Sequence, residues 1–211
     1  MKKAPVKTVL KRLQKAFAKE TAFSGRKMSA FQCLVGTVLS ARTKDANTAK
    51  ASSQLFSKHS TAQKLAKAPL KSIERLIKPA GFYKTKARYV KRLSRMLLND
   101  YGGRVPDTME ELMQLPGVGR KVAGCVLVYA FRKPAIPVDT HVHRISNRLG
   151  WVKTKTPEKT EFELMKNIPK NYWIDVNNLL VLHGQKTCLP RNPKCGECVL
   201  NDICPSAFKA R

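Results

Sequence analysis

The chain has 211 residues, and 43% of them are hydrophobic, so it can bury a substantial core and is not a disordered basic tail. It carries 41 lysines and arginines against 14 aspartates and glutamates, a formal net charge of +27. An excess of this size is typical of proteins that bind a polyanion, and nucleic acid is the first partner to expect. A basic surface that serves only solubility and an anionic membrane surface are the weaker explanations.

The N-terminal segment MKKAPVKTVLKRLQKAFAKE is basic and amphipathic, unlike a secretory signal. The longest apolar run, Val122 to Phe131, is about half as long as the ~20 residues that a membrane span needs. We therefore expect a cytoplasmic protein associated with the nucleoid and no membrane partner. Disulfides are rare in that compartment, so clustered cysteines indicate metal or redox chemistry.

Apolar residues recur at helical spacing along most of the chain, and no segment alternates as a strand would. The first helix carries its apolar residues at Val6, Val9, Leu10, Leu13 and Phe17. After a break at TAFSGRK, Ser29 is placed to cap the buried helix SAFQCLVGTVLSA. The next predicted helices are DANTAKASSQLFSKH, TAQKLAKA, LKSIERLI and TKARYVKRLSRMLLNDYGG, which ends at a glycine pair.

The second half of the chain continues the helical pattern. Asp107 with Glu110 forms a capping-box pattern that predicts a short helix leading into LPGVG, and the long apolar helix follows. Pro134 and Pro137 mark the best internal boundary. Further helices are predicted at DTHVHRISNRLG, after Thr156-Pro157 and at NYWIDVNNLLVLHG. The fold class is all-α, and packing of the first helix with the C-terminal half would give two interleaved lobes with a cleft between them.

The segment LPGVG, Leu115 to Gly119, joins two predicted helices through a glycine bend. Gly117 and Gly119 allow positive φ angles and leave the backbone open to an approaching group. Successive amides in such a turn, together with the start of the next helix, form a phosphate pocket. An ordinary helical corner is the alternative. The segment IKPAGFYKTKA is a second, looser glycine-centred junction with a basic exit.

Four of the six cysteines cluster near the end of the chain, with six, two and five residues between successive members: Cys188, Cys195, Cys198 and Cys204. Thiolate ligation of one metal centre explains them best. The spacing leaves zinc open, although tetrahedral zinc usually uses two C-x-x-C pairs and the cluster contains one. Cys33 and Cys125 lie within apolar helical patterns, and we interpret both as buried small hydrophobic residues.

Lys121 follows the glycine bend at the start of the apolar helix. The helix dipole and the neighbouring Arg120 disfavour the proton on its amine, as a Schiff-base nucleophile requires. Asp139, in PVDTHVHR, precedes a helix, where an aspartate is equally well explained as a plain N-cap.

LPGVGRKVAG, VDTHVHRISNRLG, LHGQKTC and the cysteine array occur in the order that is typical of endonuclease III. The chain resembles that family of helix-hairpin-helix DNA glycosylases over nearly its whole length. The resemblance implies a six-helix barrel domain over 22–136 and an iron–sulfur cluster domain formed by 1–21 and 137–211, with a DNA-binding cleft between them. It also implies that the four cysteines hold a [4Fe-4S] cluster rather than zinc.

The resemblance carries functional roles to particular positions. Lys121 matches the nucleophile and Asp139 the catalytic carboxylate. Arg42 and Phe82 match the wedges that fill the gap left by a flipped nucleotide, although bacterial members usually have Gln at the position of Arg42. The remaining expected DNA contacts are Leu115, Gly117, Val118, Gly119 and Arg120 of the hairpin, Lys84, and Arg191 and Lys194 of the loop between cysteines.

The combined pattern predicts a base-excision repair enzyme, a monomer that removes oxidised pyrimidines from duplex DNA and nicks the abasic site by β-elimination. Adenine glycosylases lack the lysine, and glycosylases for oxidised guanine generally lack the cysteine array. The alternatives are a sibling mismatch or oxidised-purine glycosylase, a non-catalytic DNA-binding protein of the same fold and a zinc-dependent nucleic-acid binder.

Overall fold

A computed structural model describes residues 3–22 and 28–209 of the chain. The described residues are helical and contain no strand, as the all-α prediction expects. Two short 3-10 helices, Lys170–Tyr172 and Cys195–Glu197, accompany the α-helices. The α-helices are α1 (Val6–Ala16), α2 (Ala18–Ala22), α3 (Ala30–Ser40), α4 (Asp45–Lys58), α5 (Ala62–Lys67), α6 (Leu70–Leu76), α7 (Tyr83–Asp100), α8 (Met109–Gln114), α9 (Arg120–Phe131), α10 (Thr140–Arg148), α11 (Pro157–Asn167) and α12 (Trp173–Lys186).

The chain divides into two compact units. One consists of Met1–Arg26 together with Pro134–Arg211, and the other of Lys27–Lys133. The predicted break at FSGRK, residues 23–27, lies outside the described residues. Within the described ranges, no helix combines the length and the apolarity that a membrane crossing needs.

The unit Lys27–Lys133 is built around α3, which packs against α4, α7 and α9. Ser29 caps α3 as predicted, with a full capping box to Gln32. The cap of α8 is one residue later than predicted. Thr108, not Asp107, accepts the hydrogen bond at the start of α8, because the Asp107 carboxylate instead pairs with Lys133 at 2.7 Å.

In the other unit, α1 packs against α12, and α10 packs against α11 and α12. The apolar face of α1 is buried as predicted, with Leu10 and Leu13 in one core with Leu180. The segment before α1 is held by Trp151, whose indole Nε1 donates to the carbonyl of Ala4 at 2.8 Å. The first helix of the chain is therefore part of the same core as the C-terminal third.

Candidate active site and nucleic-acid interface

The hairpin between α8 and α9 requires glycine at Gly117 for two reasons. Its φ of +82° lies in the left-handed region, which side chains rarely adopt. A Cβ atom there would also lie 2.7 Å from Cδ2 of Tyr89, on α7. The side chains of Leu115 and Val118 are buried, and the Val118 amide donates to the Leu115 carbonyl. These two residues therefore offer no side chain to a ligand.

Gly119 does not use the positive φ that a glycine allows. It is the N-cap of α9 with an extended backbone, φ −99°, which any residue can adopt. A Cβ atom built on Gly119 meets nothing within 4 Å, and no side chain caps the helix. Within the described chain, no group accepts a hydrogen bond from the amides of Gly119 and Lys121. The start of α9 therefore presents open backbone donors at the positive end of the helix dipole.

Lys121 lies in the first turn of α9 and its side chain is exposed, whereas the residues that follow, Val122 to Val128, are buried. The buried face of α9 fixes the helix, and the exposed first turn holds the amine at the surface beside the open amides. Lys121 belongs to the unit Lys27–Lys133, and Asp139 belongs to the other unit.

Asp139 is the N-cap of α10 and is half-buried. One carboxylate oxygen, Oδ1, accepts from the amides of both His141 and Val142, at 2.9 and 2.8 Å. No described residue donates to the second oxygen, Oδ2. The capping interpretation from the sequence is confirmed, and it leaves one oxygen of the carboxylate available for chemistry.

The two expected wedge residues lie on adjacent loops of one unit. Arg42 and Phe82 both have left-handed backbones, with φ of +51° and +56°, and the Phe82 side chain is 65% exposed. The loops meet at Gly81, where a Cβ atom would lie 3.0 Å from the Arg42 carbonyl. The Gly81 amide donates to the hydroxyl of Thr43 at 3.1 Å. The structure therefore brings together the loops that carry Arg42 and Phe82.

A buried lysine joins these two loops. Nζ of Lys86, on α7, donates to the carbonyls of Leu39 and Ala41 at 2.7 and 2.6 Å and to Oγ1 of Thr43 at 2.7 Å. Lys86 is only 5% exposed, and its burial lowers the pKa of the ammonium. Sequence reasoning missed Lys86 because nothing local distinguishes it from the many exposed lysines of the chain.

The four clustered cysteines line one apolar cavity beside α10 and α12. Among the described residues, no three His, Cys, Asp or Glu side chains converge closely enough to hold a single metal ion, as zinc would require. Thiol donors spread around a cavity suit a cluster, whose iron atoms are separate binding points. The residues present therefore fit an iron–sulfur cluster better than zinc.

The surroundings of the cysteines disfavour free thiolates and offer hydrogen bonds to bound ones. Burial raises the pKa of Cys198 and Cys204, and the neighbouring cysteines raise it further, so these thiolates need a cationic centre to stabilise them. Arg148 donates from its guanidinium to Sγ of Cys188 at 3.3 Å, and the Leu200 amide approaches Sγ of Cys198 at 3.4 Å. Arg148 was missed by sequence reasoning, since its partner is distant in the chain.

Outside the hairpin, the other expected DNA contacts are exposed, and Arg120 at the start of α9 is half-buried. Lys84 is exposed near the start of α7, and Arg191 and Lys194 are exposed on the loop between Cys188 and Cys195. Lys194 lies 3.9 Å from Glu197, a distance at which an exposed pair contributes little.

The other cysteines and the histidines have structural surroundings. Cys33 and Cys125 are buried as predicted, and burial raises the pKa of Cys33 to about 11. His183 is buried, and desolvation followed by the charge of Arg144 lowers its pKa to about 4. It is therefore neutral at physiological pH.

Comparison with known proteins agrees with this arrangement. Residues 35–170 match the family model described as HhH-GPD superfamily base excision DNA repair protein, and residues 188–204 match the iron–sulfur binding domain of endonuclease III. The chain is 49% identical over 196 residues to endonuclease III of Thermotoga maritima, covering 93% of this chain and 92% of that protein.

Two further relatives show how widely the similarity extends. The chain is 46% identical over 188 residues to the chloroplastic endonuclease III homolog 2 of Arabidopsis thaliana; this is 85% of this chain but about half, 49%, of that longer protein. The structure of the present chain is similar to that of a trapped endonuclease III–DNA covalent intermediate in an estranged-adenine complex, with a TM-score of 0.86 and 36% identity. That match covers 97% of this chain and 96% of the other.

The fold, the glycine hairpin and the cysteine domain thus define a helix-hairpin-helix protein of base-excision DNA repair. Within that class, the chain belongs to the endonuclease III family. The enzyme is accordingly a DNA glycosylase with AP lyase activity, and it is an iron–sulfur protein. The resemblance inferred from the sequence is confirmed.

Proposed function

We propose that this enzyme removes oxidised pyrimidines from duplex DNA as a monomer, through a Schiff base formed by Lys121. The observation that carries the proposal is the first turn of α9, where an exposed lysine stands beside open amides at the end of a glycine hairpin. Backbone amides at a helix start bind phosphate, and an amine fixed beside them would face the sugar that the phosphate carries.

The reaction follows from the chemistry of a primary amine. The unprotonated Nζ of Lys121 attacks C1′ of the flipped nucleotide, and the bond from C1′ to the damaged base breaks as the base takes the electron pair and then a proton. The C1′–O4′ bond of the sugar then breaks, O4′ takes its electron pair and the proton that the amine has lost, and the nitrogen lone pair forms the C=N bond of an imine between C1′ and the lysine. Loss of a proton from C2′ then expels the 3′ phosphate, which leaves with the electrons of the 3′ C–O bond.

Asp139 supplies the carboxylate for these steps. The cap of α10 occupies Oδ1, so Oδ2 would stabilise the positive charge that builds on the sugar and accept a proton from the amine. Because two amides fix the side chain, the carboxylate needs little reorganisation when the substrate binds.

Base flipping falls to the loops of Arg42 and Phe82. A damaged base stacks weakly, and flipping it leaves a gap that an apolar wedge and a hydrogen-bond donor can fill. Phe82 offers an exposed ring, and Arg42 offers donors to the edge of the unpaired base. Backbone phosphates would be held by the hairpin residues together with Arg120. Further phosphates would be held by Lys84 and by the pair Arg191 and Lys194.

The four cysteines would be the ligands of a [4Fe-4S] cluster, which would order the loop between Cys188 and Cys195 and so place its basic residues. The cluster supplies stability rather than a reaction step in this proposal. In this proposal, residues 22–136 form the six-helix barrel domain, and residues 1–21 with 137–211 form the iron–sulfur cluster domain.

Borohydride trapping on a duplex that contains thymine glycol tests the central step. The wild-type enzyme is expected to give a covalent adduct and Lys121→Gln none, while Lys121→Gln still binds the duplex. Lys67→Gln, an exposed lysine on α5, is the matched control and should trap normally. An adduct with Lys121→Gln would remove that lysine from its role. No adduct with wild type, despite salt-sensitive binding, would favour a mismatch substrate instead.

A further inference from the structure

Helix α7 carries three arginines on one exposed face: Arg88, Arg92 and Arg95. Their spacing of four and three residues aligns them along one side of the helix. The opposite side, with Val90, Leu93 and Leu97, is buried in the core of its unit. We call the three arginines the α7 basic stripe.

The stripe has no acidic partner. Among the described residues, no aspartate or glutamate forms an ion pair with any of its three guanidinium groups, whereas Lys133 pairs with Asp107 at 2.7 Å in the same unit. Like charges three and four residues apart on a helix repel one another. A surface that keeps this repulsion uncompensated is suited to an external polyanion.

The stripe lines an open groove and leads to the hairpin. The groove is formed by the three arginines with Leu70, Thr85, Tyr89 and Lys91. Tyr89 is the residue whose ring packs against Gly117 of the hairpin. The groove and the phosphate site proposed at the hairpin therefore share a wall.

We propose that the α7 basic stripe binds the backbone phosphates of duplex DNA next to the phosphate held by the hairpin, and so extends the DNA interface along α7. This rests on the proposed function, in which the hairpin holds a phosphate. From Arg88 to Arg95 the helix rises about 10 Å, which matches about three base pairs of duplex. Guanidinium groups suit this role because they donate two parallel hydrogen bonds to phosphate.

The test compares Arg88→Gln/Arg92→Gln/Arg95→Gln with a control that loses the same charge, Lys7→Gln/Lys11→Gln/Lys15→Gln on the exposed face of α1. Binding to a duplex with an uncleavable abasic-site analogue is measured by fluorescence anisotropy at several salt concentrations. Each lost phosphate contact reduces the magnitude of the negative slope of log K against log salt by about 0.9. The stripe variant should lose about 2 to 3 in slope and the control much less.

A shorter duplex gives a second readout. When the duplex ends about two base pairs from the lesion on both sides, with each end closed by an uncharged linker so that the strands stay paired, wild type and stripe variant should have nearly equal slopes. The conservative variant Arg88→Lys/Arg92→Lys/Arg95→Lys keeps the charges and should keep most of the slope on the long duplex. The proposal would be overturned if the stripe and control variants lost equal amounts of salt slope. It would also be overturned if the stripe variant lost as much slope on the short duplex as on the long one.

Trapping separates this proposal from the proposed function. At saturating enzyme and low salt, the stripe variant should trap an abasic site at the wild-type single-turnover rate, because its arginines do not touch the reacting sugar. Normal trapping with an unchanged salt slope refutes the stripe alone. Trapping by Lys121→Gln refutes the lysine mechanism, whatever the stripe does.

Discussion

Replacement of Lys86 by methionine should weaken both the fold and the DNA reaction. Lys86→Met keeps the apolar stem of the side chain and removes the ammonium that donates to Leu39, Ala41 and Thr43. These three acceptors lie on the segment that carries Arg42. The hydroxyl of Thr43 also accepts a hydrogen bond from the amide of Gly81, next to Phe82. The substitution therefore removes the group that fixes one expected wedge relative to the other.

The size of the effect follows from the three contacts. A hydrogen bond to a charged group contributes about 1.5 to 3 kcal/mol, and a buried acceptor left without a partner costs about 1 to 3 kcal/mol. Methionine also removes the cost of burying an ammonium, and the exposed Ala41 segment can bond to water instead. We expect a net loss of about 3 kcal/mol, or a thermal midpoint about 6 to 12 °C lower for a chain of this size.

Lys91→Met is the matched control on the same helix, because Lys91 donates only one such bond, to the carbonyl of Ala68 at 2.6 Å. Its loss should be about 1 kcal/mol, a midpoint shift of about 2 to 4 °C. Thermal unfolding followed by circular dichroism measures both. Equal shifts for the two variants would refute the argument that the three-way contact of Lys86 holds the loops.

The DNA readout distinguishes positioning from stability alone. A misplaced wedge should slow excision from duplex DNA about tenfold or more at a temperature where the variant is folded. Cleavage of an abasic site in single-stranded DNA needs no flipping and should change little. A parallel loss on both substrates would mean that Lys86 supports the fold in general and not the wedges.

Three further predictions test individual residues. Gly117→Ala should destabilise the protein, because of the left-handed φ at this position and the close contact with Tyr89. Gly119→Ala should leave the thermal midpoint unchanged and weaken DNA binding, since its methyl group would point into open space at the proposed phosphate site. Equal thermal midpoints for the two variants would contradict this. Asp139→Asn should keep the helix cap and lose most of the excision rate, and an active variant would make the residue a cap only. Because Cys33 is buried and burial raises its pKa to about 11, its thiol is both inaccessible and neutral at pH 8, so iodoacetamide should leave it unlabelled in the folded enzyme and label it once the enzyme is unfolded; peptide mass spectrometry with and without denaturant measures the labelling, and equal labelling would contradict this.

Most of the fold could be predicted because its signals are local. The 3.6-residue period of α1 and the caps at Ser29 and Thr156 are each contained within a few residues of sequence. The start of α8 was misplaced by one residue because the choice between Asp107 and Thr108 depends on Lys133, which is distant in the chain. A capping pattern alone cannot include a competing ion pair.

The catalytic candidates could be predicted for a different reason. Lys121 and Asp139 stand beside helix starts, so the glycine bend and the N-cap position mark them in the sequence. Lys86 and Tyr89 lack such a mark, because their roles come from contacts with residues 28 to 47 positions away. The spacing of the α7 basic stripe was visible in the sequence, but its continuity with the hairpin was not.

The two interpretations of Asp139 illustrate how a structural role can support a chemical one. From the sequence, a helix cap and a catalytic carboxylate compete as explanations for the same residue. In the structure the cap uses Oδ1 alone, since both amides converge on that atom, and Oδ2 has no donor among the described residues. Capping holds the side chain in one rotamer, which is the preorganisation that a catalytic carboxylate needs. In the proposed mechanism the two roles therefore belong to different atoms, and the cap on Oδ1 holds Oδ2 ready for the chemical role.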